Sequence, residues 1–317
     1  MIPKNSTELQ EKKFISHKLM TNDLILKLDE VGYPKHSSRV QECGNYLKFS
    51  LQQHQETSEQ RQKLKEANFC KFRFCPMCSW RRTRNITGQL LEALESIEAK
   101  ISVSYLFLTL TTPNPKINDL KATVKHLNDS FKRMSQSKAY KNAILGHFKS
   151  LELLGDKTPD GEAHPHFHIL LIVKKSYFTS RDYISQEQWT KMWGKALRAD
   201  YTPIVHIQAI KQKRNSKLTK LQSAVFEVAK YAVKHTELTS RSNDDFVEII
   251  EQTKRMRFFS TSGVLKEYIN LIKADEDLIN FKEETEQQWI EIEELLYEWI
   301  NGSYFLKPCA KKNHMTT

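Results

Sequence analysis

Three histidines alternate with other residues at the start of an apolar segment, AHPHFHILLIV at 163–173. Side chains alternate between the two faces of a β-strand, so His166 and His168 are expected on one face and Phe167 on the other. Two imidazoles on one face can bind a single cation if the strand twists or the rings lean together. His164, which precedes a proline, either orients this site or lies in the loop before the strand.

A carboxylate ligand for the same cation is expected from the preceding segment. Residues 143–154 and 164–175 both have the composition of strands, and the turn signal TPDG lies between them, which predicts a β-hairpin. In that hairpin Glu152 lies roughly opposite His166, about 5 Å away across the strands. Two imidazoles and a carboxylate leave coordination positions open, which favours a site that polarises a phosphate oxygen. Histidines that are only hydrogen-bonded at a strand end are the alternative.

The segment 221–235, LQSAVFEVAKYAVKH, has the period of an amphipathic helix. At about 100° per residue, Tyr231 falls on the polar face with Glu227 and Lys234, away from the apolar stripe. A phenol is a weak nucleophile unless an ammonium group and a polarised electrophile assist it. Attack of Tyr231 on a phosphodiester would give a phosphotyrosine ester and a free 3′ hydroxyl, with Glu227 as general base. A surface tyrosine pairing with Glu and Lys is the alternative.

Four of the five cysteines precede residue 80, namely Cys43, Cys70, Cys75 and Cys78. The N-terminal segment lacks the apolar core of a secretory signal, so a disulfide framework is not expected. Four thiolates fit a closed tetrahedral zinc site. Reduced, buried cysteines without a metal are the alternative.

Basic residues interleaved with aromatic ones surround the cysteines, and further basic residues follow later in the chain. Such segments are typical of phosphate contact and base stacking, and a solvated basic run is the alternative. The residues predicted to bind DNA are Arg73, Trp80, Arg81, Arg82, Arg84, Lys211, Lys213, Arg214, Arg255 and Arg257.

The charge of the chain is strongly positive and unevenly distributed. The 317 residues carry a formal net charge of +11 and a pI of about 9.2. Residues 264–300 contain eleven acids and three lysines, a net charge of −8, so the rest of the chain carries +19. A basic body favours a polyanionic partner, above all nucleic acid. No run of eighteen apolar residues is present, so a membrane-spanning protein is excluded and a cytoplasmic one is expected.

Mixed helical and strand patterns predict an α+β fold, an antiparallel sheet with helices on one face. We expect a flexible N-terminus at 1–34, a Cys-rich DNA-contact region at 35–100, a central catalytic domain at 101–240, and a C-terminal region at 241–317 with acidic helices. The predicted helices are 86–100, 120–134, 187–197, 221–235 and the acidic segment from 264, and the strands are 105–112, 143–154, 164–175 and 203–210.

Three motifs, in this order, resemble those of the initiators of rolling-circle plasmid replication. They are FLTLTTPN (107–114), HPHFHILL (164–171) and EVAKYAVK (227–234). These initiators are HUH endonucleases, and the resemblance is to the single-tyrosine branch of small plasmids of Gram-positive bacteria. The cysteine segment and RMRFFSTSGVLKE (255–267) also resemble that branch, so the resemblance covers roughly residues 39–268.

The resemblance implies a ferredoxin-like or palm-like sheet with the histidine pair on a central strand. It implies Mg²⁺ or Mn²⁺ bound by His166, His168 and Glu152, and Tyr231 as the nucleophile that nicks the origin. Glu227 would assist the terminating cleavage, because the segment has no second tyrosine.

The expected partners are origin DNA, double-stranded and as a single-stranded hairpin, together with a host helicase and replication polymerase. A homodimer is left open. The alternatives are another HUH enzyme, a transposase or relaxase, and a zinc-dependent DNA-binding regulator without nuclease activity.

Overall fold

The computed structural model describes residues 4–155, 157–210, 219–229, 235–269, 278–279 and 288–307, with positions 4–11, 220 and 227 described by their backbone alone. The helices are α1 (Lys4–Leu19), α2 (Thr21–Glu30), α3 (Pro34–Glu42), α4 (Pro76–Glu98), α5 (Leu120–Ser135), α6 (Lys138–Ala143), α7 (Gln186–Leu197), α8 (Lys220–Val228), α9 (His235–Thr239) and α10 (Asn243–Gln252). The strands are β1 (Tyr46–His54), β2 (Gln60–Ala67), β3 (Val103–Leu110), β4 (Ile144–Glu152), β5 (His166–Lys174), β6 (Val205–Ala209), β7 (Phe259–Gly263), β8 (Trp289–Ile300) and β9 (Ser303–Lys307). Within these ranges, no helix combines the length and the apolar character needed to cross a membrane.

The chain divides into two compact units. The first unit comprises residues 1–82 and 276–317, and the second comprises residues 83–275. These limits differ from the expected boundaries at 100 and 240. Residues near the C-terminus belong to the first unit because β8 pairs with β1, and β7 belongs to the second because it pairs with β4.

The first unit contains a four-stranded antiparallel sheet in the order β2-β1-β8-β9. The prediction of acidic helices was therefore wrong for residues 289–300, which form the strand β8. Acids of β8 lie beside basic residues of the neighbouring strands: Lys48 Nζ is 3.0 Å from Glu294, and Lys65 Nζ is 2.8 Å from Glu291. Cross-strand pairs of this kind contribute about 0.2–1 kcal/mol each and are invisible to a local helical period.

The N-terminal segment expected to be flexible forms the helices α1 and α2. Phe14 of α1 is almost completely buried, and its ring centroid is 4.8 Å from that of Trp80 and 5.8 Å from that of Phe49, both in edge-to-face geometry. In α2, Leu24 and Leu28 are buried one turn apart. The apolar residues are few but spaced to one helix face, so the segment is anchored in spite of its polar composition.

The second unit contains a five-stranded antiparallel sheet in the order β6-β3-β5-β4-β7. The path β3-α5-β4-β5-α7-β6 has the order of a ferredoxin-like βαββαβ unit, in which the two central strands are the first and the third. The predicted α+β class with an antiparallel sheet is confirmed. β5, which contains the histidine pair, is the middle strand of the five.

Helices cover both faces of this sheet, not one as predicted. On one face, α4 and α8 pack against Phe107, Phe148 and Leu170. On the other, Phe131 of α5 contacts Phe167 with ring centroids 6.0 Å apart, and α7 packs beside α5. The apolar stripes of these helices are similar, so the sequence pattern does not distinguish which face each one covers.

Candidate functional site

Glu152, His166 and His168 converge at the ends of β4 and β5. The register places Glu152 directly opposite His166, as the predicted hairpin requires. His166 Nε2 is 3.0 Å from His168 Nε2, and Glu152 Oε2 is 2.9 Å from His168 Nε2 and 3.4 Å from His166 Nε2. The three ligand atoms therefore form a nearly equilateral triangle on one face of the sheet.

Neighbouring groups fix the orientation of both imidazoles. His166 Nδ1 donates to the backbone carbonyl of His164 at 2.8 Å, which directs Nε2 at the triangle. His168 Nδ1 is 3.4 Å from the hydroxyl of Thr109, its cross-strand neighbour, and the ring stacks on Phe107 with centroids 5.4 Å apart. The histidines are thus pre-oriented by the sheet itself.

The carboxyl of Glu152 is held in its ionised form. Burial alone would raise its pKa, but hydrogen bonds from His166 and His168, with their charge, outweigh it and lower the pKa to about 2. The triangle therefore combines one anionic carboxylate oxygen with two imidazole nitrogens.

The triangle fits a divalent cation. Ligands at right angles around an ion at about 2.1 Å are about 3 Å apart, and the observed separations are 2.9, 3.0 and 3.4 Å. Two imidazoles and one carboxylate on one side of an ion leave the opposite positions for water or substrate. These three ligand groups are compatible with Mg²⁺ or Mn²⁺. They are fewer than the four protein ligands of a closed structural site.

The helix α8 covers the same face of the sheet as the histidine pair. Its residues Leu221, Val225 and Val228 are buried against Leu170 and Ile172 of β5, whose side chains alternate in phase with those of the histidines. The predicted apolar stripe is confirmed at these positions. The helix ends at Val228, however, so the predicted continuous helix to 235 is not observed. Tyr231 and Lys234 lie outside the described residues, as does the side chain of Glu227.

The four predicted cysteines meet in the first unit. Cys43 follows α3, Cys70 lies in the loop after β2, and Cys75 and Cys78 lie at the start of α4. The Sγ atoms of Cys43 and Cys78 are 3.5 Å apart, those of Cys70 and Cys78 are 3.6 Å apart, and those of Cys43 and Cys75 are 3.7 Å apart. All four are free thiols and all are buried.

This cluster fits a tetrahedral zinc ion. Sulfur atoms at about 2.3 Å from a tetrahedral centre are about 3.8 Å apart, close to the observed separations and far longer than a disulfide bond. Backbone amides of Cys70 and Phe72 donate to Cys43 Sγ and Cys70 Sγ at 3.3 and 3.4 Å, a pattern that stabilises thiolates. Burial raises the pKa of the Cys75 thiol, so a cation is needed to hold that sulfur ionised.

Comparison with known proteins gives the family. A family model described as "Replication protein" matches residues 61–305, well over half of the chain. The chain belongs to the replication protein family. It is 34% identical over 297 residues to "Protein rep" of Bacillus amyloliquefaciens, covering 87% of this chain and 86% of that protein. It is 36% identical over 199 residues to "Protein rep" of Staphylococcus aureus, covering 62% of this chain and 82% of that one. No solved structure matches the chain significantly.

The match to the replication protein family includes the triangle of Glu152, His166 and His168, three of the four cysteines and the strand β8. It confirms the resemblance to plasmid replication initiators at the level of the family. The match extends beyond the three sequence motifs at 107–234 in both directions, so both units of this replication protein belong to the family architecture.

Two residues predicted to bind DNA are core residues of the first unit. Trp80 is nine-tenths buried and stacks on His17 with centroids 4.6 Å apart. Arg81 is also buried, and its Nε donates to the carbonyl of Leu278 at 2.8 Å. The prediction of DNA contact is corrected for both, because a buried ring and a buried, hydrogen-bonded guanidinium cannot meet a phosphate.

The other predicted DNA-binding residues lie elsewhere. Arg84 is exposed, and Arg73 and Arg82 are half-buried near the cysteine cluster. Arg255 and Arg257 are exposed just before Phe258, whose carbonyl accepts a hydrogen bond from the amide of Leu151, beside Glu152. These two arginines are thus at the same end of the sheet as the triangle. Lys211, Lys213 and Arg214 lie outside the described residues.

The sequence analysis did not identify two residues that support the triangle. Asn114 Oδ1 is 2.7 Å from His164 Nδ1, and Arg241 Nη2 donates to the carbonyl of Thr158 at 2.9 Å in the loop between β4 and β5. Asn114 ends the motif FLTLTTPN, so its position in that motif was the available signal. Arg241 is far along the chain from the loop, and no local pattern indicates the contact.

Proposed function

We propose that this member of the replication protein family initiates plasmid replication by nicking one DNA strand at the origin, with Tyr231 as the nucleophile. The observation that carries the proposal is the convergence of Glu152, His166 and His168 on the face of the sheet that α8 covers. Tyr231 follows that helix in the sequence, three residues after Val228. The chemistry is that of an HUH endonuclease of the single-tyrosine kind.

The proposed reaction is a transesterification. The phenol oxygen of Tyr231 forms a bond to phosphorus, the bond from phosphorus to the 3′ oxygen breaks, and the phenol proton is lost to a base while the 3′ oxygen gains one. The products are a 5′-phosphotyrosine ester and a free 3′ hydroxyl that primes synthesis. When bound at the triangle, Mg²⁺ or Mn²⁺ would polarise a non-bridging phosphate oxygen. Lys234 is the proposed ammonium group that favours the ionised phenol.

Glu227 is the proposed general base for the terminating cleavage. It lies in α8, four positions before Tyr231, and a single tyrosine requires another group to activate the second nucleophile. Water activated by Glu227 would cleave the regenerated origin and release the displaced strand.

Zinc bound by Cys43, Cys70, Cys75 and Cys78 is the proposed structural cofactor of the first unit. Lys18 of α1 supports this role, because it is buried and donates to the carbonyl of Cys43 at 2.9 Å. Its ammonium group would partly neutralise a zinc–tetrathiolate centre, which carries two negative charges. The metal would therefore stabilise the N-terminal helices together with the cysteine loops.

Origin DNA is the proposed substrate. It would be bound as a duplex and cleaved in a single-stranded hairpin. The exposed Arg255 and Arg257 are proposed to contact phosphates beside the metal triangle, and Arg73, Arg82, Arg84, Lys211, Lys213 and Arg214 to contact flanking DNA. A host helicase and a replication polymerase would act on the nicked product in the bacterial cytoplasm. A homodimer is compatible with the proposal and is not required by it.

The test is nicking of a supercoiled plasmid that contains the origin. The wild-type protein should convert it to the open circle with Mg²⁺ or Mn²⁺ and not in excess chelator. Tyr231→Phe should abolish nicking, whereas Tyr268→Phe, which alters a phenol that accepts a hydrogen bond from Lys100, should nick normally. Nicking by Tyr231→Phe at the wild-type rate would overturn the proposed nucleophile. Binding of the origin by the wild-type protein without any nicking would favour a regulator.

A further inference from the structure

A small aromatic platform lies at the far end of the central strand from the metal triangle. Phe178 and Tyr183 are each nearly half exposed, at 47% and 46%, with ring centroids 6.3 Å apart. Both rings pack on Tyr177, at 5.3 Å in each case. Two large rings that expose this much surface side by side are unusual for positions that serve only packing.

The platform is rigidly supported. Tyr177 is buried, and its hydroxyl donates to the carbonyl of Ile184 at 3.2 Å and accepts from the amide of Ile184 at 3.1 Å. These two hydrogen bonds close the loop between the 3-10 helix at Lys175–Thr179 and α7. The exposed rings are therefore presented on a fixed base, which lowers the entropy cost of binding a ligand.

Exposed cations flank the platform along the chain. Lys174, Lys175 and Arg181 are exposed, and within the described part of the chain none of them forms an ion pair. Lys138 and Lys141 are two further exposed lysines of α6, which ends directly before Ile144, the partner of Val173. We call Lys174, Lys175, Phe178, Arg181 and Tyr183 the distal patch.

The distal patch is separate from the metal triangle. Lys174 is six residues beyond His168 along β5, which corresponds to roughly 20 Å. The nick and the distal patch therefore cannot involve the same nucleotide. Neither the catalytic motifs nor the predicted DNA-binding residues include any member of the distal patch.

We propose that the distal patch binds single-stranded DNA. Exposed aromatic faces stack on unpaired bases, which a duplex does not offer, and the cations match the phosphate backbone. The inference deepens the proposed function: the bound strand would be origin DNA unwound on one side of the nick. Duplex DNA, bound through phosphates alone, is the competing outcome.

The test uses binding in the absence of cleavage. Affinity of the full-length Tyr231→Phe protein for labelled oligothymidylate is measured by fluorescence anisotropy without added Mg²⁺ or Mn²⁺, so the result does not depend on the nicking proposal. Adding Phe178→Ala and Tyr183→Ala should weaken binding at least about tenfold while leaving the affinity for a blunt hairpin duplex within about twofold. The matched control Phe305→Ala, an exposed ring of the first unit at 53%, should bind as the parent protein does.

Charge removal gives a second readout. Lys174→Gln, Lys175→Gln and Arg181→Gln together should reduce the slope of log Kd against log salt for oligothymidylate by about two, since each phosphate contact to a single strand contributes about 0.7. An unchanged slope, or equal losses for oligothymidylate and duplex in the aromatic variant, would overturn the proposal.

Ultraviolet cross-linking of the unaltered chain to oligothymidylate removes any dependence on the folding of variants. Adducts mapped by mass spectrometry to residues 175–183 are the expected result. Adducts confined to other segments would contradict the inference.

Discussion

Glu152 lies directly opposite His166 in the register of β4 and β5, and the Oε2 and Nε2 atoms of the two side chains are 3.4 Å apart. This relationship adds a carboxylate from one strand to the histidine pair of the next, so three side chains that could bind one cation lie together. Neither histidine alone, nor the pair, would supply the negative charge that a hard divalent cation prefers. The carboxylate is therefore the residue on which cation affinity depends most.

Glu152→Gln should lower the affinity for Mn²⁺ by at least about 100-fold, because even partners outside the ligand set typically cost 10–100-fold. Isothermal titration calorimetry of the full chain measures this directly. Glu187→Gln, which removes an exposed carboxylate paired with Lys191 on α7, is the matched control and should leave the affinity unchanged. Wild-type affinity in Glu152→Gln would show that the triangle is not the cation site.

Lys149 should make the stability of the second unit increase with pH. It is buried over the ring of Phe167 at 3.9 Å, and burial lowers its pKa from 10.5 to about 7. Between these two pKa values the folded state binds fewer protons than the unfolded state. The destabilisation caused by burying Lys149 is therefore absent above pH 10.5 and grows as the pH falls to 7. This difference in pKa corresponds to at most about 5 kcal/mol of unfolding free energy.

Denaturant unfolding at a series of pH values tests this prediction. Lys149→Met should be more stable than the wild type at pH 7, with a smaller difference as pH rises towards 10. The hydrogen bond from Lys149 Nζ to Asn128 at 2.5 Å is also lost, so Asn128→Ala serves as the control for that contact. A constant difference at all pH values would contradict the titration of Lys149.

Arg241 should hold the loop that separates the metal ligands. Its guanidinium donates to the carbonyls of Pro159 at 2.6 Å and Thr158 at 2.9 Å and is buried. Arg241→Leu leaves both carbonyls without this donor and should cost about 2–4 kcal/mol of unfolding free energy, with a weaker site for Mn²⁺. Arg241→Lys retains the charge but not the two-pronged geometry and should be intermediate. Loss of stability with wild-type cation affinity would limit Arg241 to a folding role.

Zinc should be bound at one ion per chain and released by substitution of a single cysteine. Cys78→Ser should abolish stoichiometric zinc binding, measured by elemental mass spectrometry. It should also abolish the thiolate charge-transfer band of the cobalt-substituted protein. The matched control is Cys309→Ser, which alters a cysteine outside the described residues and should retain one zinc. Retention of zinc by Cys78→Ser would contradict the tetrathiolate site.

The parts of the structure that were predictable depend on local patterns. The strict alternation around His166 and His168 predicted β5, and the turn signal then set the register that brings Glu152 opposite. The apolar stripe of α8 was predictable for the same reason, because Val225 and Val228 repeat at helical spacing. In both cases one short segment contains the whole signal.

The parts that were not predictable depend on contacts between distant segments. The sequence of β8 predicts an acidic helix because the lysines that pair with its acids are more than 200 positions away, in β1 and β2. The local sequence predicts that Arg81 and Trp80 contact DNA. Their partners in the core, the carbonyl of Leu278 and the ring of His17, are remote in sequence and cannot be inferred from it. Composition indicates charge, but it does not indicate which charges fold into the core.

The most direct test of the central claim is mass spectrometry of the protein after incubation with an origin oligonucleotide and Mn²⁺. The account predicts a covalent DNA adduct on the peptide containing Tyr231, with a 5′-phosphate link and a matching fragment that ends in a 3′ hydroxyl. The same adduct should be absent in Glu152→Gln and in Tyr231→Phe. Cleavage without any adduct, or an adduct on a different residue, would contradict the account.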